Sequence, residues 1–368
     1  MKVALIHDVL NQLGGAEKVL KNFLEIWPDA TIHTVFYDEA KTGAEFKNFS
    51  KKVSPLDKFP LSHSHPRLFV TLLPIAFGRF KFDDYDLVFS DSSAFAKFAN
   101  AGEKLHICYC HTPTRFLWTE PNYLKRQSYP EVLKWLGSLF MPYLRRRDFA
   151  AAQRPDFFIA NSVNVQNRIR KFYHRDSVVI PPPVDTGAFR PAGGSKSDYY
   201  FVASRLEPYK KIELVIQAFN KLGLPLKVAG SGTIIEQLRA MAGNNIEFLG
   251  RVSDVELKRR YSEAKAFIFP AEEDAGIMVL EAQACGTPVI AYGAGGALET
   301  VIEGVTGEFF REQTAESLEQ VVRRFEPAKY DPLKIRENAL KYDKSIFQQR
   351  IREFVEEKYR EFRQTRKG

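Results

Sequence analysis

Two acids, Glu273 and Glu281, lie eight positions apart; Glu272 and Asp274 flank the first, and the residues from Ala275 to Leu280 are apolar or small. A helix beginning near Gly276 sets Ile277, Leu280, Glu281 and Ala284 on one i, i+3, i+4, i+7 face, so Glu281 falls within the stripe that turns to the core. A carboxylate there is costly unless donors satisfy it. A buried Arg or Lys would serve, and so would the two hydroxyls of a ligand diol. Glu273 precedes the helix, in a loop after the apolar run 266–270, and parallel-sheet folds bind ligands at the carboxyl ends of their strands.

Cations and glycines recur in comparable places. Arg205 and Lys210 follow the apolar run 199–203 in ASRLEPYKK, where a guanidinium fork and an ammonium could neutralise a diphosphate. A solvated helix start is the alternative, although cations near a helix N-terminus oppose its dipole. Gly14-Gly15 and Gly230-Ser231-Gly232 each stand between a strand and a helix, where backbone amides could approach an anion or simply form a turn. Neither is the GxGxxG nicotinamide fingerprint. His111 ends the strand ICYC, as a ligand contact or as a core histidine. Cys108, Cys110 and His111 have no second cluster to complete a tetrahedral site, so no metal and no cofactor is expected.

The elements that must carry these residues alternate. Apolar runs at 3–6, 32–36, 87–90, 105–110 and 157–161, then at 199–203, 226–229, 246–249, 266–270 and 288–291, are separated by helical patterns. That rhythm predicts α/β architecture with parallel sheets and helices on both faces. A chain of 368 residues exceeds one usual core. Pro181-Pro182-Pro183 and the stretch 192–197 suggest a hinge between an N-terminal domain, 1–185, and a C-terminal domain, 196–346. A charged final helix, about 347–368, would pack back on the first.

A hydrophobic content of 45% with 27% charged residues is that of a globular protein. The net charge of +8 favours anionic partners: nucleotides, phosphates, lipid heads or nucleic acid. Three cysteines suit a reducing cytoplasm. The N-terminal apolar run is too short for a signal peptide, and the tract 68–80, broken by Pro74 and Gly78, is too short to span a bilayer.

The ordered set of motifs resembles the retaining glycosyltransferases of family 4 (GT4). Glu273 and Glu281 followed by ACGTPVI match that family's most specific motif; SRLEPYKK, GGAE, AGSG, FLGRVSDVEL and IPPPVD fit in order. The resemblance implies a GT-B fold, two Rossmann-like doubly wound domains facing a central cleft. It implies that Glu281 binds ribose hydroxyls and Glu273 the transferred sugar. Arg205 and Lys210 would hold the diphosphate, assisted by the Gly14 and Gly15 amides. His111 would touch the sugar near the reacting carbon. Gly230, Gly232, Arg251, Ala275, Gly276 and Ile277 complete the implied nucleotide-sugar contacts, and His111, Glu273, Arg205 and Lys210 the catalytic set. HTPTRFLW with PAEEDAGI is most similar to mannosyltransferases of O-antigen and exopolysaccharide synthesis, which use GDP-mannose. Lys211 stands where a glycine is common, and Asp274-Ala275 where Gly-Phe is frequent.

The implied reaction moves a hexose, mannose from GDP-mannose or alternatively a sugar from a UDP donor, to a saccharide or polyprenyl-linked acceptor. The tract HPRLFVTLLPIAFGRFKF and the run YLRRRDF, with Arg145, Arg146 and Arg147, would let a cytoplasmic enzyme rest on the inner face of the plasma membrane. Packing of the tract and plain solvation of the arginines is the other reading. A nucleic-acid-binding protein would use the same charge but leaves the glycine turns and the acidic loop without a role, so no nucleic-acid partner is expected. A GT-B epimerase or phosphorylase is a further alternative.

Overall fold

The computed structural model describes residues 1–63, 69–119, 131–193 and 196–366. The chain divides into two units, Met1–Pro181 with Gln348–Gly368, and Pro182–Phe347. His65, Pro66, Arg67 and Leu68 of the apolar tract and Gly194-Ser195 of the expected hinge lie outside the described residues, as do the last two positions of the final helix.

Apolar strands that alternate with helices must pair in parallel, since each crossover returns the chain to the same end of the sheet. The first unit holds β1 (Val3–His7), β2 (Thr31–Thr34), β3 (Lys51–Val53), β4 (Leu87–Ser92), β5 (Leu105–Cys110), β6 (Phe157–Ala160) and β7 (Val178–Val179) in the order β3-β2-β1-β4-β5-β6-β7. The second holds β8 (Tyr200–Ala203), β9 (Leu226–Ala229), β10 (Ile246–Gly250), β11 (Phe267–Phe269), β12 (Val289–Tyr292) and β13 (Gly307–Phe310) in the order β10-β9-β8-β11-β12-β13. Every pairing is parallel. Strand order reverses between β1 and β4 and again between β8 and β11. At such a reversal, neighbouring crossovers leave to opposite faces and open a crevice at the carboxyl ends.

Both faces of the second sheet are covered. Ile268 and Ile290 face a core shared with helix Ile212–Leu222 and helix Ala315–Arg324, while Phe267, Phe269, Val289 and Ala291 face one shared with helix Ile277–Ala284. This is the strand period of two, read on both sides. In the first unit, helix Gly15–Ile26 buries Val19, Leu20, Phe23 and Leu24. Helix Lys344–Thr365 buries Ile351 and Val355 and contacts the first unit through Arg350, which donates to the Val179 carbonyl at 2.7 Å.

The segment after β5 is tied down by one buried charge pair. Lys97 Nζ lies 2.7 Å from Asp148 Oδ1, with both residues buried. The remaining capacity of Asp148 is filled by donation from the Thr114 hydroxyl at 2.8 Å, the Trp118 indole at 2.7 Å and the Tyr173 hydroxyl at 2.8 Å. Full satisfaction of this kind is what makes a buried ion tolerable.

The rings of His33 and His106 are buried: His33 Nδ1 meets the Thr31 carbonyl and His106 Nε2 the Ser90 hydroxyl, while the His106 backbone amide donates to Asp156 Oδ2 at 2.8 Å. Burial pushes their pKa values down from 6.5 to about 4 and about 3 respectively. On acidification the unfolded chain therefore takes up these protons first, and stability falls as pH drops from 6.5 towards 4 and then 3. His106→Gln, which can still bond Ser90, should flatten the acid dependence of first-unit stability by about 1.4 kcal/mol per pH unit. Urea unfolding followed across that pH range would measure it, and an unchanged slope would contradict the assignment.

Candidate functional site

The ionisable residues singled out in the sequence form two clusters, one in each unit. In the second unit the cluster surrounds the reversal between β8 and β11. Arg205 leaves the end of β8 and donates from Nη2 to the Tyr209 hydroxyl at 2.7 Å. Lys210 closes the short 3-10 turn Pro208–Lys210, is nearly buried, and lies over the Tyr209 ring at 5.2 Å. Tyr209 thus braces both cations. Across the reversal, the Lys210 ammonium donates to Glu273 Oε1 in a partly buried ion pair. The expected phosphate ligand and the expected sugar ligand are direct neighbours.

Glu281 lies on helix Ile277–Ala284, capped by Gly276 in the left-handed region (φ 68°). The expectation of a single apolar stripe needs correction, because this helix is buried nearly all round: Val279 through Ala284 are all buried, Gln283 included. A helix hydrophobic on one face only would sit at a surface; this one is enclosed by β11, β12 and neighbouring helices. Glu281 is 2% exposed. The Tyr261 phenol is held well above its ordinary range, by burial first and then by the charge of Glu281 beside it. Gln283 donates to the Thr300 carbonyl at 2.9 Å and accepts from Asn338 at 2.8 Å, which fixes the roll of the helix that carries Glu281.

Close backbone approach positions both loops. A Cβ on Gly230 would stand 1.8 Å from the Ser204 carbonyl oxygen, and one on Gly232 2.2 Å from that of Leu206. The AGSG turn is therefore pressed against the segment that bears Arg205, and Leu206 N donates to the Ser231 carbonyl at 2.9 Å. On the other side, Gly296 N donates to the Glu273 carbonyl at 2.8 Å, and a Cβ there would lie 2.6 Å from Ala275 Cα. Ala275 is buried, Ile277 opens the helix, and Arg251 stands exposed just past β10.

The first-unit cluster lies at the reversal between β1 and β4. His111, 12% exposed at its side chain, meets Asp91 Oδ1 through Nε2 at 2.5 Å. Its carbonyl accepts from Asn161 Nδ2 at 3.0 Å. Gly14 precedes helix Gly15–Ile26, but its amide donates to Glu17 Oε2 at 2.8 Å, so this N–H is engaged within the protein. Cys108 and Cys110 are buried on β5. Among the described residues, no group of three or more His, Cys, Asp or Glu is arranged to hold a metal ion.

Residues 13–188 match the family model described as Glycosyltransferase Family 4, and residues 188–342 the model described as Glycosyl transferases group 1. The chain belongs to the GT4-type glycosyltransferases. It is 32% identical to the GDP-mannose-dependent alpha-(1-6)-phosphatidylinositol monomannoside mannosyltransferase of Mycolicibacterium smegmatis, over 35% of this chain and 41% of that one. It is 33% identical to the D-inositol 3-phosphate glycosyltransferase of Mycobacterium avium, over 41% of this chain and 42% of that one. The match spans about two-fifths of the length of these curated relatives. Among solved structures, sucrose-phosphate synthase from Thermosynechococcus elongatus aligns with a TM-score of 0.76 at 18% identity, covering 97% of this chain and 99% of that one. HepE from Anabaena, in complex with UDP-glucose, aligns with a TM-score of 0.73 at 20% identity, covering 97% and 100%. The fold is GT-B: two Rossmann-like units, each on a parallel sheet.

Within this GT4 chain, sequence reasoning missed Tyr209, Tyr261, Gly295-Gly296 and the partners of His111. Tyr209 lies within SRLEPYKK, an aromatic between Arg205 and Lys210, which is a signal the sequence carries. Lys211, noted as standing in a glycine's place, adopts φ 59° and ψ 32°, a left-handed conformation that favours glycine. Lys211→Gly should therefore stabilise the second unit by up to about 1 kcal/mol. Gly230→Ala and Gly296→Ala should each cost roughly 1–3 kcal/mol, because backbone must move to admit the methyl group. Chemical denaturation of the three variants measures all of these; a neutral Gly230→Ala would show that the turn is not held against Ser204.

Proposed function

We propose that this chain is a retaining hexosyltransferase whose second unit holds a nucleoside-diphosphate sugar. The observation that carries the proposal is the convergence of Arg205, Lys210 and Glu273 at the reversal between β8 and β11, with Glu281 buried on the next helix. Arg205 and Lys210 supply the positive charge that a diphosphate needs, the guanidinium as a fork and the ammonium as a point charge. Glu281 offers acceptors for a ribose diol in a site where burial strengthens each bond. Glu273, next to Lys210, takes sugar hydroxyls, and His111 of the first unit takes the sugar near the reacting carbon.

In the reaction, an acceptor hydroxyl attacks the anomeric carbon on the face from which the diphosphate departs. The bond from the anomeric carbon to the phosphate oxygen breaks, a new glycosidic bond forms, and the hydroxyl proton passes to the departing phosphate oxygen. No side chain need serve as a covalent nucleophile. Stabilising the leaving charge is then the main catalytic work of Arg205 and Lys210. In this reading their cations serve in place of a metal ion, and EDTA should leave transfer unchanged.

GDP-mannose is the proposed donor, supported by the relatives whose names carry GDP-mannose dependence; a UDP-sugar is the alternative, since HepE is described with UDP and UDP-glucose. The proposed acceptor is a saccharide or a polyprenyl-linked saccharide at the inner face of the plasma membrane. Helix Glu131–Ala151 supports membrane contact: Trp135 (62% exposed), Leu139, Phe140 (53%) and Tyr143 are solvent-facing beside exposed Arg145, Arg146 and Arg147. Aromatic rings flanked by cations suit an anionic lipid surface. The tract before it along the chain contributes less: in helix Leu73–Gly78, Leu73, Ala76 and Phe77 pack into the core, and Ile75, with Leu72 just ahead of the helix, is the exposed apolar part. No helix among the described residues is long and apolar enough to cross a membrane.

Incubation with a panel of GDP- and UDP-sugars and a lipid-linked acceptor, following release of nucleoside diphosphate, tests the activity. Glu273→Gln should retain GDP or UDP binding and lose transfer by roughly 10²-fold or more. Glu281→Ala should weaken nucleotide binding itself by about tenfold to a hundredfold. Normal transfer by both variants would sink the assignment. For the surface, sedimentation with anionic vesicles should be strong at low salt, and lost when Trp135 and Phe140 are both replaced by Ser; equal binding to zwitterionic vesicles would argue against charge-guided contact.

A further inference from the structure

Four ionisable side chains from four elements form a continuous chain at the reversal between β1 and β4. Glu17, in the first turn of helix Gly15–Ile26, accepts the Gly14 amide at Oε2 and lies with Oε1 3.7 Å from His7 Nε2. His7, the last residue of β1, meets Asp91 Oδ2 through Nδ1 at 2.7 Å. The register of β1 on β4 sets these two residues directly opposite each other. The second oxygen of Asp91 meets His111 Nε2 at 2.5 Å. His7 and Glu17 are 2% and 3% exposed, and Asp91 is fully buried.

Two carboxylates this deep need a cation, and His7 lies between them. As an imidazolium it donates from Nδ1 to Asp91 and directs its second N–H at Glu17, so that one positive charge serves both. Asp91 then remains an anion with acceptor capacity at Oδ1, and His111 must present Nε2–H to it. A histidine whose one nitrogen donates to a carboxylate has its tautomer fixed.

We propose that Glu17, His7 and Asp91 are positioning residues that hold His111 as the Nε2–H tautomer, leaving its Nδ1 as a hydrogen-bond acceptor for a hydroxyl of the donor sugar. The sugar contact rests on the function proposed above; the tautomer does not. The same chain of bonds ties the Gly14 turn to His111, so a displacement of either is felt by the other.

The surrounding electrostatics agree. Burial opposes a charged His7, but Asp91 and Glu17 together raise its pKa to about 10. Burial likewise opposes both carboxylates, and the two histidines lower Asp91 while His7 lowers Glu17. On β5, Tyr109 pairs with Asp91 while Cys108 turns to the opposite face beside Ser90; burial and then Asp91 push the phenol well up, and burial pushes the thiol to about 12, so both are neutral. Asp8, next to His7, is engaged by the amides of Ser93, Ala94, Phe95 and Ala96, and Lys97 by Asp148.

Long-range proton–nitrogen correlation spectra of the full chain, labelled with ¹⁵N-histidine, read both imidazoles without any ligand. His7→Gln and His111→Gln assign their signals among the seven histidines. The expected spectrum at pH 8 has His7 protonated at both nitrogens and His111 protonated at Nε2 alone. His7 titrating near 6.5, or His111 carrying its proton on Nδ1, would overturn the proposal. Asp91→Asn should abolish the tautomer preference of His111; an unchanged His111 signal in a folded variant counts against it equally. Should Asp91→Asn not fold, the wild-type spectrum and Glu17→Gln, which should lower the pKa of His7, still decide. With GDP-mannose and UDP-glucose as donor probes, Asp91→Asn should lower kcat at least tenfold with KM little changed, and shift the pH profile. Absence of wild-type transfer with every donor would remove the function and with it the sugar contact, whereas a wrong ring-nitrogen pattern defeats the relay even in an active enzyme.

Discussion

Burying a carboxylate is the constraint on which the rest of this structure depends. An isolated anion in a protein interior is costly enough to lose its charge or unfold its surroundings, so each buried acid must gather donors from whatever elements can reach it. Asp148 gathers Lys97, Thr114, Trp118 and Tyr173. Asp91 gathers His7 and His111. Asp8, only part-buried, is met in the same way by four consecutive backbone amides from the turn after β4. In each case the acid joins segments that the hydrophobic core alone would leave free to slide. The loop that carries His111 is therefore fixed at both ends by charge, at His111 through Asp91 and at Thr114 through Asp148.

The second unit solves its positioning problem by different means. Its loops are set by backbone-to-backbone approach, with AGSG packed against Ser204–Leu206 and Gly295-Gly296 packed against Glu273–Ala275. Such contacts leave no room for adjustment, which suits a loop that must present Arg205 and Glu273 at fixed positions. The charges are paired directly, Lys210 with Glu273 in a partly buried ion pair that joins the loops on the two sides of the reversal. The first unit instead commits its charges inward and offers His111 as the outcome.

Much of this was legible in advance, and the gaps have physical reasons. The run at 105–110 coincides with β5 and that at 226–229 with β9, because mostly apolar stretches between turn residues suit buried parallel strands. Strand β3, Lys-Lys-Val, was missed because it is a charged edge with no hydrophobic pattern. Strand β13, Gly-Glu-Phe-Phe, was missed because a glycine and a glutamate take half of its four residues and leave no apolar run. Glu281 was conspicuous as an acid among apolar neighbours. Asp91 was not, since it ends a strand where a polar residue is unremarkable, and its partners lie 84 and 20 positions away.

The amino-acid sequence by itself determined the alternation of strands and helices, and with it the parallel sheets. It also determined which segments could carry phosphate-binding cations, because hydrophobic period, glycine turns and charge are local properties. It left open which acids would be buried and which cation would answer each. That was decided only when β1 paired with β4 and set His7 opposite Asp91, and when the reversal at β8 and β11 brought Lys210 to Glu273. Charge pairing acts over a few ångströms in space, and only the folded sheets convert long separations along the chain into such distances.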